Sequence, residues 1–325
     1  MAYLWSLASA WPEKNIREKL LFTLTSLYQR VTVFSEFRFW GGSGNTANYN
    51  VPFIMNEQNV FRAFLRKAHT IALYFRSAPD VPREVETSVQ SACHLGQLPD
   101  RSVDYIFTDP PFGGNINYSE MNFLWESWLG LRTDVRDEAI INTVQRKGIA
   151  EYRVLLRQAF SEAHRVLKES AWMTVMFHNS SDSVWRALQG AISDVGFRVE
   201  GTQIFDKEHG TFKQFVSENA VGYDLALHCR KTSAVGNRTS ASHNPFTTDA
   251  ESFVRTRLEQ DPDKYVVRYL HVDRGAELDC RRLYAEWLAL SVRQGLVTIG
   301  FEEFRAVAER ISATVKRDLN TGTLF

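Results

Sequence analysis

Val103-Asp104-Tyr105-Ile106-Phe107-Thr108, followed by Asp109-Pro110-Pro111-Phe112-Gly113-Gly114-Asn115-Ile116-Asn117-Tyr118, sets the fold and the site of this chain. The first six residues are a short apolar run of strand length. The next four are a break, because two successive prolines fix φ and remove backbone donors. Such a break holds the Asp109 carboxylate and its neighbouring carbonyls in one arrangement, with the aromatic face of Phe112 beside them. In open α/β sheets, ligands bind beyond the carboxyl ends of the strands. A loop of this composition at that place is therefore the candidate site. The plain alternative is a strand-ending turn, since Asp and Pro are common in turns.

Working outward, the middle of the chain alternates strand and helix. A strong amphipathic helix is expected over 150–168, a strand over 172–177 and a helix over 183–195. Further strands are expected over 197–205 and 223–228, with Gly196 where a helix gives way to a strand. On the amino-terminal side, 89–95 reads as another strand. Strands separated by helices of this length predict a largely parallel sheet covered on both faces. Nearer the start, 13–29 and 59–75 read as helices and 31–39 as a strand, with a loop at Gly41-Gly42-Ser43-Gly44. The polar run 232–248 is the linker candidate, and helices near 248–259, 277–294 and 301–316 form a tail. The expected organisation is a helical segment with its glycine loop (1–50), a catalytic α/β domain (51–231), the linker (232–248) and a small helical domain (249–325).

Composition narrows the function classes. The 325 residues are 44% hydrophobic and 23% charged, which suits a soluble globular protein, and 38 basic residues balance 38 acidic ones. Contact with nucleic acid must then come from local basic patches. Cys93, Cys229 and Cys280 form no CxxC pair, so neither a disulfide framework nor a zinc ribbon is expected, and no metal cluster is. No apolar run reaches the ~20 residues of a membrane span. A cytoplasmic protein is the expectation.

The run Thr108 to Gly130, TDPPFGGNINYSEMNFLWESWLG, resembles the motif of amino-directed DNA methyltransferases with a D/N-P-P-Y/F loop. More closely, it resembles a subgroup of large bacterial and archaeal adenine-specific DNA methylases with a DPP-aromatic-Gly-x-Asn-x-x-Tyr-Ser-Glu continuation. The resemblance extends to FHNSS (Phe177 to Ser181) and to the segment with FKQ between Gly210 and Lys231, about residues 50 to 231 in all. It implies a Rossmann-like sheet with an antiparallel last strand, S-adenosylmethionine as cofactor and DNA as substrate. The acid at 109, where protein-glutamine and ribosomal-RNA enzymes usually carry Asn, points to DNA. Adenine N6 is expected before cytosine N4.

The chemistry suits that target. An exocyclic amino nitrogen is a poor nucleophile because its lone pair is delocalised into the ring. A carboxylate and a carbonyl accepting its N–H bonds would localise that pair. The base must first leave the duplex and be held by stacking, here on Phe112. The resemblance thus assigns Asp109, Pro110, Pro111 and Phe112 to catalysis, Asn115, Tyr118 and Lys213 to base or DNA binding, and Thr108, Cys93 and His178 to the cofactor.

The sequence departs from the family in two respects. The family's glycine loop, often F-x-G-x-G, follows its first strand, and Gly41–Gly44 lies too close to the next strand-like run for a parallel crossover. Ala92-Cys93-His94 stands where an Asp is expected. The resemblance therefore implies a sheet without its first strands, and a second polypeptide carrying the glycine motif. A catalytically incomplete subunit that binds DNA or that partner is the alternative. Arg132, Arg136, Arg146 and Lys147 are candidate phosphate contacts, whereas Trp125 and Trp128, at helical spacing, are core candidates.

Overall fold

A computed structural model describes residues 1–28, 30–37, 39, 51–78, 85–206, 223–232, 250–267, 277–296 and 299–321. They fall into two compact units, one of residues 1–89 and 117–136, the other of 90–116 and 137–325. The boundaries expected at 50/51 and 248/249 do not coincide with these. The glycine loop at 41–44, the FKQ segment with Lys213, and the linker from 233 lie outside the described residues.

The first unit is helical: α1 (Ala2–Ser9), α2 (Lys14–Thr25), α3 (Val60–Ser77) and α4 (Tyr118–Leu129). Asn59 caps α3 by accepting the Arg62 N–H at 3.0 Å, and Gly130, at φ 67°, ends α4 in the left-handed conformation. Trp125 donates to the Thr25 carbonyl at 3.1 Å, and Trp128 stacks on Tyr28 with ring centroids 5.8 Å apart. Both tryptophans thus serve packing, as their helical spacing suggested. Among the described residues, the strand expected over 31–39 is reduced to bridge residues at Glu36 and Phe37, with Glu36 paired to Met55.

The second unit carries β1 (Val103–Thr108), α5 (Ile149–Val166), β2 (Leu167–Phe177), α6 (Asp182–Asp194), β3 (Phe197–Asp206) and β4 (Tyr223–Lys231). After these come α7 (Ala250–Gln260), the short pair β5 (Val266–Val267) and β6 (Glu277–Leu278), then α8 (Cys280–Gln294) and α9 (Phe301–Thr321). The sheet order is β1-β2-β4-β3, with β1 parallel to β2 and both contacts of β4 antiparallel. This corrects the expectation of a mostly parallel sheet: α5 returns the chain as a parallel crossover once, whereas β4 runs back between β2 and β3. Gly196, at φ 94°, makes the turn from α6 into β3.

No strand forms at 89–95; Cys93 lies in a turn instead. Hence β1 is an edge strand among the described residues. Among the described residues, the helices of this unit pack on one face of the sheet. Met173, Val175 and Phe177 of β2 and Leu225, Leu227 and Cys229 of β4 point into one core with α5 to α9. Tyr105, Phe107, Trp172 and Phe205 stand exposed on the opposite face. The carboxy-terminal helices share the sheet's core: Val254, Leu283, Trp287 and Phe304 belong to the same buried cluster.

Candidate active site

β1 stops where its ladder donors stop. Thr108 pairs with Val175, and the chain then enters Asp109-Pro110. The loop is fixed from three sides. The hydroxyl of Tyr152, wholly buried on α5, donates to the Pro111 carbonyl at 2.6 Å. The Gly113 N–H reaches the same carbonyl at 3.0 Å. Asn179, just past β2, donates to the Phe112 carbonyl at 3.0 Å and accepts the Ser181 N–H at 2.7 Å. Trp185 of α6 in turn donates to the Asn179 carbonyl at 2.9 Å. Finally, the Ile141 N–H donates to the Gly113 carbonyl at 3.2 Å.

Gly113 adopts φ 71°, and a Cβ there would sit 3.4 Å from the Asn179 amide and from Val184. A side chain would be strained in that conformation. Phe112 is half-buried, meeting Phe177 edge-on with centroids 5.2 Å apart. Its ring is thus partly consumed by the core, and one portion remains accessible. Asp109 is exposed while Pro110 is buried, so the carboxylate stands at the surface on a buried base. The Pro111 and Phe112 carbonyls are engaged by protein donors.

The expected site residues divide accordingly. Asp109 to Phe112 and Thr108 share the carboxyl end of β1, and His178 follows the carboxyl end of the parallel neighbour β2. His178 lies with its ring centroid 6.1 Å from that of Phe112, and its Nδ1 is 2.9 Å from the Tyr223 carbonyl. Asn115 is exposed in the turn after the loop. Tyr118 opens α4 of the first unit. Cys93 is buried with its sulfur 3.6 Å from the Leu155 carbonyl, and burial raises its pKa. Its contacts lie with α5 rather than with the loop. Of the candidate phosphate contacts, Arg136 forks onto Asp134 at 3.0 Å, and Lys147 is held by the Glu138 carbonyl at 2.6 Å.

Tyr152 was not legible as a site residue, because on the apolar face of an amphipathic helix a tyrosine reads as core. Asn179 carried a signal as a polar residue at a strand end. On the exposed face of the sheet, Tyr105 donates to Thr174 at 2.7 Å, and Thr174 lies 3.0 Å from His228 Nδ1. These three line a shallow hollow of about 390 Å³ with Trp172, Glu200 and Gly201. No metal-binding cluster of His, Cys, Asp or Glu is present among the described residues, and no helix there is long and apolar enough to cross a membrane.

No known sequence family matches the chain, and no curated protein does. Among solved structures it is similar to the cytosine-N4-specific PvuII DNA methyltransferase, at 14% identity and a TM-score of 0.32 over 44% of this chain. That match spans 48% of the PvuII enzyme's chain. It is also similar to a SAM-dependent methyltransferase from Methanosarcina mazei, at 12% identity and a TM-score of 0.27 over 54% of this chain and 79% of the other. Likeness of this degree fixes neither substrate nor site.

Proposed function

We propose that this chain carries the catalytic loop of an S-adenosylmethionine-dependent DNA methyltransferase acting on an exocyclic base amino group, adenine N6 before cytosine N4. The observation that carries the reading is the acidic loop Asp109-Pro110-Pro111-Phe112 at the carboxyl end of a parallel strand, held by Tyr152 and Asn179. The flipped base rests against the accessible part of Phe112. Its amino group donates one hydrogen bond to the Asp109 carboxylate and one to the Pro110 carbonyl. This localises the nitrogen lone pair and turns it away from the ring. As the nitrogen gains its methyl group it sheds a proton, which Asp109 is placed to receive. Preorganised acceptors aimed at developing positive charge are the main catalytic contribution of such a loop.

S-adenosylmethionine, when bound, supplies an activated methyl group on a sulfonium. Thr108 and His178, at the carboxyl ends of adjacent parallel strands, would line its side of the crevice. The accompanying proposal is that a second polypeptide, carrying a glycine loop, completes the cofactor site, because Gly41–Gly44 lies too close in sequence to the next strand-like run for a parallel crossover. By this reading the isolated chain binds the cofactor weakly, and calorimetry tests that directly.

The test of catalysis is radiolabelled methyl incorporation into DNA by the active assembly. Asp109→Ala should lower the rate by about a hundredfold or more, the worth of ~3 kcal/mol in a charge-assisted bond. Full activity in Asp109→Ala would remove the mechanism. Phe112→Tyr should keep activity, whereas Phe112→Ala loses both the stacking surface and the contact with Phe177.

A further inference from the structure

Because the whole chain has no net charge, a helix with cations and no anions is a local concentration of charge. Helix α3, VFRAFLRKAHTIALYFRS, contains no Asp or Glu. At helical spacing, Arg62, Arg66, His69 and Arg76 fall on one face with Leu73 among them, and all five are exposed. The opposite arc holds Val60, Ala63, Phe64, Ala68 and Ile71, all buried or half-buried. Ala63 is the fully buried residue of that arc, while Tyr74 and Phe75 on the same side stand exposed, as does the basic face. Arg66 reaches Gln58 at 3.5 Å, and no carboxylate among the described residues pairs with Arg62, Arg66 or Arg76.

We propose that this face of α3 binds the phosphate backbone of double-stranded DNA, a choice of ligand that rests on the methyltransferase reading. Charge complementarity is the argument. The fourteen residue steps from Arg62 to Arg76 span about 21 Å of helix. At about 3.4 Å of duplex axis per phosphate on each strand, that faces roughly six phosphates. Guanidinium groups fork onto phosphate oxygens, and such contacts fix register and orientation on a duplex. The contact positions the duplex without choosing its sequence. A lipid surface, which the exposed Phe61, Leu65, Tyr74 and Phe75 could also meet, is the competing outcome of the test.

The experiment measures binding of the full chain to a fluorescent 30-base-pair duplex across a salt series. Each phosphate neutralised adds about −0.9 to the slope of log K against log salt. The triple variant Arg62→Ala, Arg66→Ala, Arg76→Ala should therefore flatten the slope by about 2.7. Over 50 to 200 mM salt that is about a fortyfold difference in how affinity falls. The loss should be equal for duplexes of unrelated sequence. The triple Arg→Lys variant should keep the slope, which separates lost charge from lost folding. An unchanged slope in the alanine variant, or no duplex binding by the wild type, overturns the proposal. So does wild-type binding to vesicles of phosphatidylcholine and phosphatidylserine (70:30) in preference to the duplex. Flattening of the slope by the arginine variants, with Asp109→Ala retaining full methylation, would leave this surface standing while removing the catalytic reading.

Discussion

Asn179→Asp changes one atom of the clamp that sets the loop. In the wild type the Asn179 amide donates to the Phe112 carbonyl at 3.0 Å, while its oxygen accepts the Ser181 N–H at 2.7 Å. The aspartate keeps the second bond but presents an oxygen to the carbonyl where a donor stood. Asn179 is 8% exposed, so water offers little relief. A lost hydrogen bond of ~1 kcal/mol, together with a buried carbonyl left facing an acceptor at ~1–3 kcal/mol, gives a cost of about 2–4 kcal/mol. The penalty should depend on pH. A protonated carboxyl can donate to the Phe112 carbonyl, so the new group's pKa is raised in the folded state above its unfolded value of about 3.9. Stability is then fully retained below the unfolded pKa and lost as pH rises through the folded one. Urea unfolding at pH 8 and pH 4.5, wild type beside variant, measures both effects. A variant within ~0.5 kcal/mol of wild type at pH 8, or a penalty that does not shrink on acidification, would refute the clamp. In an active assembly the same variant should slow methyl transfer, since small misplacements of a positioned group cost up to about a hundredfold.

Three further outcomes are expected. Gly113→Ala should lower stability by about 1–2 kcal/mol, for a side chain forced into positive φ; Tyr152→Phe should cost only ~1 kcal/mol, since the Pro111 carbonyl keeps its Gly113 partner. Melting curves rank the two, and a silent Gly113→Ala would contradict the loop conformation. His164 has its pKa lowered by burial and then by the nearby Lys231 charge, and its Nε2 is buried with no partner among the described residues. A depressed histidine leaves stability intact above its unfolded pKa of about 6.5, and stability falls as pH drops from there towards the folded value. His164→Gln should flatten that slope between pH 7 and 5, and an unchanged slope would place the titration elsewhere.

The residues themselves determined the chain's local elements and the position of its candidate loop. Periodicity marked α5 and α6, Gly196 marked the turn into β3, and the apolar run before Asp109-Pro110 marked β1 and its end. These are short-range consequences of side-chain pattern, glycine freedom and the missing proline donor. Two short runs misled for the same reason: 31–39 and 89–95 have strand-like composition, but a strand exists only where a neighbour supplies its ladder. Tertiary structure alone decided the pairings. It set β4 antiparallel between β2 and β3, left β1 at an edge, and gathered the helices of its unit on one face. It also decided what holds the loop. The reach of Tyr152 to Pro111 spans 41 residues and that of Asn179 to Phe112 spans 67. No periodicity encodes contacts of that separation, because they depend on how α5 and β2 pack and not on the sequence around either partner.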